Sequence, residues 1–267
     1  MLRILFFMLA VASFGVFKFS NQSVEKVVEG KKEVVFVEDV DIDTELIDID
    51  FCGDTIPLKQ AYVAKRYQRT IKDYDNPTFR RMRKRVQGNM KVIEPILQRY
   101  GIPTDLKYIP IVESTMTASA VSPKGAVGYW QFMPETAREF GLKVDDTVDE
   151  RKNLIKSTHA ACKYLLRLHR QLGSWTLVAA AYNAGPTRIR RHVNQQQNED
   201  YFRLRMNQET SQYVFRLVAA KEWFTNPDRC KEWGADDVFI RVAKINETKK
   251  LLEEGAIPRK ALATAGS

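Results

Sequence analysis

The chain has 267 residues, 44% of them hydrophobic and 28% charged, an ordinary globular balance that leaves room for a sizeable core. The 42 Lys and Arg outnumber the 33 Asp and Glu, giving a net charge of +9. That suits a polyanionic partner, whether nucleic acid, an anionic membrane surface or an acidic polymer. Three Cys without a Cys-x-x-Cys pair and three His without ligand spacing exclude a conventional zinc site.

The N-terminus reads as an export signal. Met1-Leu2-Arg3 is a short positive segment, and Ile4 to Phe17 is apolar apart from Ser13 and Gly15. The run is short for a membrane span, which needs about 20 residues, and suits the apolar region of a signal peptide. Residues 1–20 are therefore expected to be a signal peptide or an uncleaved signal anchor. Residues 21–56 are expected to form a partly disordered linker. Within it, Val34 to Val37 suits a short strand, and the acidic run Glu38 to Asp50 shows no helical period. Export leaves a Cys52–Cys230 bridge open, while Cys162 falls in a helical apolar pattern and reads as core.

From Pro57 the pattern turns helical. Leu58 to Tyr74 predicts a first helix. Asn76-Pro77-Thr78 supplies a break and a cap, and Phe79, Met82, Val86, Met90, Ile93, Leu97 and Tyr100 then keep a helical period up to Gly101. The basic cluster Arg80 to Arg85 lies on this second helix, as a solvated face or a contact for an anionic polymer. Pro103-Thr104 opens the next segment, where Leu106, Ile109 and Glu113 recur at helical spacing. Pro110 lies inside it, so this helix must be bent or short.

Glu113 thus shares a stripe with two core residues. Burial disfavours a charged carboxylate and raises its pKa. An acid still protonated near neutral pH can deliver a proton to a leaving-group oxygen. A lone Glu more often marks the solvent edge of an amphipathic helix, so its company decides.

That company begins with a loop rich in Ser, Ala and Gly, Thr115 to Val127, with a turn at Ser122-Pro123-Lys124-Gly125. It closes on Gly128-Tyr129-Trp130-Gln131. Helices are expected from Pro134 to Gly141, and from Leu154 to Leu172 with Ile155, His159, Cys162, Leu165, Leu166, Leu168 and Leu172 inward. Another, from Trp175 to Tyr182, is nearly all small or apolar and must be buried on most sides. It runs into Ala181-Tyr182-Asn183-Ala184-Gly185. An unpaired buried polar group costs about 1–3 kcal/mol, so the Tyr-Asn pair satisfies loop backbone or faces a ligand. A polar loop, Asn194 to Asp200, precedes a final helix marked by Tyr213, Val214, Leu217, Val218 and Phe224. The tail from 226 to 267 holds a candidate strand at 238–242 and a charged helix around 247–254.

Four pieces in order resemble the soluble-lytic-transglycosylase (SLT) domain of glycoside hydrolase family 23: Glu113-Ser114, Gly128-Tyr129-Trp130-Gln131, Ala181-Tyr182-Asn183-Ala184-Gly185, and Glu209-Thr210 followed by Tyr213-Val214. The resemblance runs roughly from Lys84 to Phe224. It implies a mainly α, lysozyme-like domain with a substrate groove, placed here over 57–225. It also implies cleavage of the β-1,4 bond between N-acetylmuramic acid and N-acetylglucosamine in peptidoglycan, leaving a 1,6-anhydromuramic end. Carried over by position, Glu113 is the single acid/base. Ser122, Gln131 and Asn183 contact the sugar, and Tyr182 hydrogen-bonds near the Glu113 carboxylate. Trp130, where the family often has Met, packs on a sugar face, and Glu209 supports the groove. Glycan strands are then the partner, no metal or organic cofactor is needed, and the location is periplasmic or cell-envelope, with membrane association through an uncleaved N-terminal segment left open.

No groove-entering motif or stacking aromatics speak for nucleic acid. Two other readings remain. A goose-type lysozyme-like hydrolase would use water, with Asp105, Asp145, Asp146 or Glu209 as second carboxylate. A non-catalytic wall-binding scaffold would keep the groove, but the retained Glu113 speaks against it.

Overall fold

The computed structural model describes residues 20–28, 31–39, 49–228 and 230–231. The chain divides into two compact units, 1–49 and 50–267. In the first, strands β1 (Ser20–Val28) and β2 (Lys31–Asp39) pair antiparallel, Ser20 opposite Asp39 and Val28 opposite Lys31. The strand expected at Val34 to Val37 lies within β2. The apolar N-terminal run, most of the acidic run, and the strand and helix expected in the C-terminal tail lie outside the described residues.

The second unit is mainly α-helical. It opens with two short paired strands, β3 (Asp50–Phe51) and β4 (Asp54–Thr55). The stretch expected to be linker therefore ends in a hairpin that belongs to the helical unit. Cys52 in its turn is a free thiol, so the Cys52–Cys230 bridge is not formed. Burial holds that thiol well above its usual pKa. The hairpin is stapled on two sides. Asp105 Oδ2 accepts from the Cys52 amide at 2.8 Å and from Lys221 Nζ at 2.9 Å, and Lys221 also donates to the Asp50 carbonyl at 2.8 Å. Asp54 Oδ2 accepts from Thr176 Oγ1 at 2.7 Å.

The helices follow as α1 (Ala61–Tyr74), α2 (Pro77–Arg99), α3 (Ile109–Ser114), α4 (Pro134–Glu139), α5 (Leu154–Leu172), α6 (Trp175–Ala184), α7 (Pro186–Gln196) and α8 (Gln208–Thr225). Asn76 caps α2, its Oδ1 accepting from the Phe79 amide at 2.8 Å. Asn76→Ala is expected to lower stability by about 1 kcal/mol, read as an earlier midpoint in urea unfolding. Pro110 stands in the first turn of α3, preceded by a 3-10 turn over Thr104–Tyr108. There its missing N–H breaks no helical bond, so the helix is short rather than kinked.

The core gathers around α6. Leu177 to Ala181 are all buried, and α5, α7 and α8 pack on it. Its alanines let the neighbouring backbones approach closely. On α5, Cys162, Leu165 and Leu168 are buried as expected, but Ile155 is 54% exposed. It stands in the first turn, ahead of the row that meets the core. The sequence pattern does not predict α7. Gly185-Pro186 reads as a stop, and the Arg-rich helix beyond it fully buries only Ile189. Pro186 instead sits in the first turn, where proline is tolerated. Among the described residues, no helix is long and apolar enough to cross a membrane.

Candidate active site

Helix α3 ends on Glu113-Ser114, and its ending fixes the acid. Thr115 (φ 49°) and Met116 (φ 57°) both take the left-handed conformation, which non-glycine residues adopt at a cost. Three ties hold them. The Met116 amide donates to the Pro110 carbonyl at 2.9 Å, and buried Met116 packs inward. Arg85 from α2 donates to the Thr115 carbonyl at 2.9 Å. Buried Ser114 Oγ lies 2.8 Å from the Tyr129 carbonyl and 2.9 Å from that of Pro110, and accepts from the Thr117 amide at 3.2 Å. Ser114 therefore joins the acid's helix to the Gly128–Gln131 loop.

The Glu113 carboxyl is half-buried, and its Oε1 accepts from Tyr213 Oη at 2.6 Å. Burial is the main cause that raises its pKa. The Tyr213 hydrogen bond and the Arg216 charge pull the other way, and the Glu209 charge adds to the rise. Tyr213 is buried and pushed well above its usual value, so it remains a donor.

The loop opposite is held by its own backbone. Val127 bridges to both Val121 and Phe132, and the Gly128 amide donates to the Ala120 carbonyl at 2.9 Å. Gly128 has φ 85°, and a Cβ there would lie 2.1 Å from the Arg151 carbonyl oxygen. Arg151 is itself buried, with Nε and Nη2 each 2.8 Å from one oxygen of Asp149 and Nη1 3.0 Å from the Phe132 carbonyl. This pair holds the Asp149 carboxyl below the usual range.

The expected site residues fall into three groups. Glu113 and Asn183 are half-buried, and the Asn183 side chain makes no hydrogen bond among the described residues. Gln131 and Ser122 shape the loop. Gln131 Nε2 donates to the carbonyls of Gly128 (2.8 Å) and Ala120 (3.2 Å), and Ser122 Oγ accepts from the Ala126 amide at 3.0 Å. Glu209 is exposed in the first turn of α8 and acts on Glu113 through its charge.

One expectation needs correction. Trp130 does not offer its ring to a sugar: it is 0% exposed, with Nε1 donating to Thr158 Oγ1 of α5 at 3.0 Å. Tyr182 hydrogen-bonds near the acid and not to it. Its hydroxyl donates to the Trp130 carbonyl at 2.6 Å, and Glu113 bears on it only through charge. The tyrosine on the acid is Tyr213, which sits in the fourth sequence motif but reads there as helix core. Thr158, Asp149 and Arg151 belong to no motif and carry no sequence signal.

The other carboxylates considered as a base are mostly engaged. Asp105 is held by Lys221 and the Cys52 amide. Asp145 accepts from the amides of Thr147 (2.9 Å) and Val148 (2.8 Å), which keep its carboxyl well below the usual range. Of the four candidates, only Glu209 figures among the charges acting on Glu113. Among the described residues, no group of three or more His, Cys, Asp or Glu is arranged to hold a metal ion.

A half-buried acid on a two-turn helix, tied through Ser114 to a glycine-bearing loop, lies within a stretch with known counterparts. Residues 91–204 match the family model of the transglycosylase SLT domain. Membrane-bound lytic murein transglycosylase D of Escherichia coli (strain K12) is 33% identical over 150 residues, which are 54% of this chain and 33% of that protein. A putative tributyltin chloride resistance protein of Alteromonas sp. (strain M-1) is 34% identical over 104 residues, 39% of this chain and 50% of that protein. The chain spans a third to a half of the length of these curated relatives. Among solved structures, an inactive mutant of the lytic transglycosylase Slt from Pseudomonas aeruginosa aligns with a TM-score of 0.40 at 23% identity, covering 52% of this chain and 24% of that one.

Proposed function

We propose that this chain is a peptidoglycan lytic transglycosylase of lysozyme-like type. It would cleave between N-acetylmuramic acid and N-acetylglucosamine, leave a 1,6-anhydromuramic end, and use Glu113 as its only acid/base. The observation that carries this reading is a carboxyl pushed toward its neutral form by burial, hydrogen-bonded to Tyr213, inside an SLT domain.

Glu113 begins protonated and gives its proton to the leaving glycosidic oxygen as the C1–O bond breaks. The muramic N-acetyl carbonyl bonds to C1 and stabilises the developing oxocarbenium, which removes the need for a second carboxylate. The muramic 6-hydroxyl then attacks C1, displaces the acetyl oxygen and returns its proton to Glu113. No water is consumed. A tethered nucleophile reaches an effective molarity of about 10⁵ M or more, which lets it outrun water. The Tyr213 hydroxyl supports the carboxylate between the two steps. The Asn183 amide is the group best free to contact the sugar, with Gln131 and Ser122 setting the groove's loop. The apolar N-terminal run is the export signal or anchor in this reading, and the enzyme works in the cell envelope or periplasm on glycan strands.

Mass spectrometry of digested peptidoglycan tests this. Soluble fragments one water lighter than hydrolysis products are expected. Full-mass reducing ends would instead point to a hydrolase with Glu209 as second carboxylate. Binding without soluble product would favour a scaffold. Tyr213→Phe is expected to slow turnover about tenfold, in line with a hydrogen bond to a charged group. It should also move the upper limb of the pH profile to higher pH, because the lost bond had favoured the carboxylate. An unmoved limb would separate Tyr213 from the acid's titration.

A further inference from the structure

The α8 face that brings Tyr213 to Glu113 also carries two charges. Glu209, Tyr213 and Arg216 stand at i, i+4 and i+7, one above another along the helix. The Tyr213 hydroxyl, 2.6 Å from Glu113 Oε1, fixes where this stripe points. Arg216 lies one turn further along and is half-buried. Among the described residues it joins no ion pair, although neighbouring Lys221 on the same helix pairs with both Asp50 and Asp105. Its guanidinium acts on two acids across from it, Glu113 and Tyr74 at the end of α1, favouring the charged form of each. Glu209, at the exposed end of the stripe, acts on Glu113 in the opposite sense. The other groups near the acid are spoken for. Tyr182 of α6 donates to the Trp130 carbonyl, and Arg85 of α2 to the Thr115 carbonyl.

The chemistry gives a half-buried cation without a carboxylate partner a purpose. The acid must start neutral, which burial favours, and must then exist as a carboxylate until the 6-hydroxyl returns a proton. Burial opposes that second state. We propose that Arg216 is a positioning residue for Glu113, its guanidinium stabilising the carboxylate formed after the first proton transfer, with Glu209 as the counterweight on the same helix face. The catalytic consequence rests on the transglycosylase reading. The electrostatic one does not.

The test is a carboxyl NMR titration of the full chain labelled with ¹³C at glutamate, the Glu113 signal being the one lost in Glu113→Gln. The Glu113 midpoint is expected to rise in Arg216→Gln, to return in Arg216→Lys and to fall in Glu209→Gln. Opposite moves from two positions on one helix face are not what a merely structural role produces. On peptidoglycan, Arg216→Gln should lower kcat about three- to tenfold with KM little changed, as expected from a charge effect of up to one pKa unit, and Arg216→Lys should recover most of it. A Glu113 midpoint unmoved in Arg216→Gln, or moved as far in Arg216→Lys, overturns the proposal. Should Arg216→Gln fail to fold, the Lys and Glu209 variants decide by the same signs. If the wild type forms no anhydro product, the transglycosylase reading falls, and the titration alone still decides what Arg216 does to Glu113.

Discussion

Glu113→Gln is expected to release no anhydromuropeptide from peptidoglycan and, at neutral pH, to unfold at a higher temperature than the wild type. The loss of activity should be at least about 10²- to 10⁴-fold, the share that a positioned general acid supplies. The gain in stability follows from linkage. The folded pKa of Glu113 is raised, chiefly by burial, above an unfolded value of about 4.3. As pH rises past the unfolded value, the unfolded chain loses this proton more readily than the folded one, so stability falls until the folded pKa is passed. Below about pH 4 both states are protonated and the effect vanishes. Gln carries no charge to bury, and its amide oxygen still accepts from Tyr213. Thermal melts of both proteins from pH 4 to 8 should therefore start level and diverge in favour of the variant. A variant that loses ground as pH rises would mean that Tyr213 and Arg216 stabilise the carboxylate more than burial opposes it.

Gly128→Ala should have the largest effect on folding of any single methyl added to the loop. The residue needs φ 85°, and the new Cβ would stand 2.1 Å from the Arg151 carbonyl oxygen, a backbone atom. That oxygen cannot swing away, because the Arg151 side chain is locked to Asp149 and to the Phe132 carbonyl. Left-handed strain and overpacking each cost about 1–3 kcal/mol, so about 3 kcal/mol in all is expected. In a domain of this size that lowers Tm by about 6–12 °C. Scanning calorimetry reads it directly. Gly125→Ala is the control, since Gly125 also has a positive φ but open space at its Cβ. Equal losses at the two positions would remove the clash from the explanation.

The helical frame was legible because its signals are local. Periodicity, the Asn76 cap and the Gly173 stop place α1, α2, α5, α6 and α8 within a few residues of where they lie. Glu113 was legible because it shares a stripe with Leu106 and Ile109, which are fully buried. The partners were not. Tyr182 and Tyr213 both lie on apolar helices, and nothing local tells which hydroxyl reaches an acid 69 or 100 residues earlier in the chain. Trp130 looked outward because it sits in a site motif. Its indole N–H finds Thr158, a residue outside every motif, and that bond belongs to the core. The β3–β4 hairpin has no pattern of its own. Contacts with Lys221 and Thr176 give it a place, and those are decided in three dimensions.

Those long ties also set an order in time. Asp50 waits for Lys221, 171 residues downstream, and Glu113 waits 100 residues for Tyr213. A chain emerging N-terminus first has its acid exposed before α8 exists. At about 5–20 residues per second that interval lasts about 5–20 s. Through it the carboxyl is neither enclosed nor hydrogen-bonded to its tyrosine, and its pKa lies near that of a free glutamate. The chain therefore threads out of the ribosome with its chemistry unassembled until α8, the last long helix among the described residues, arrives to arm it.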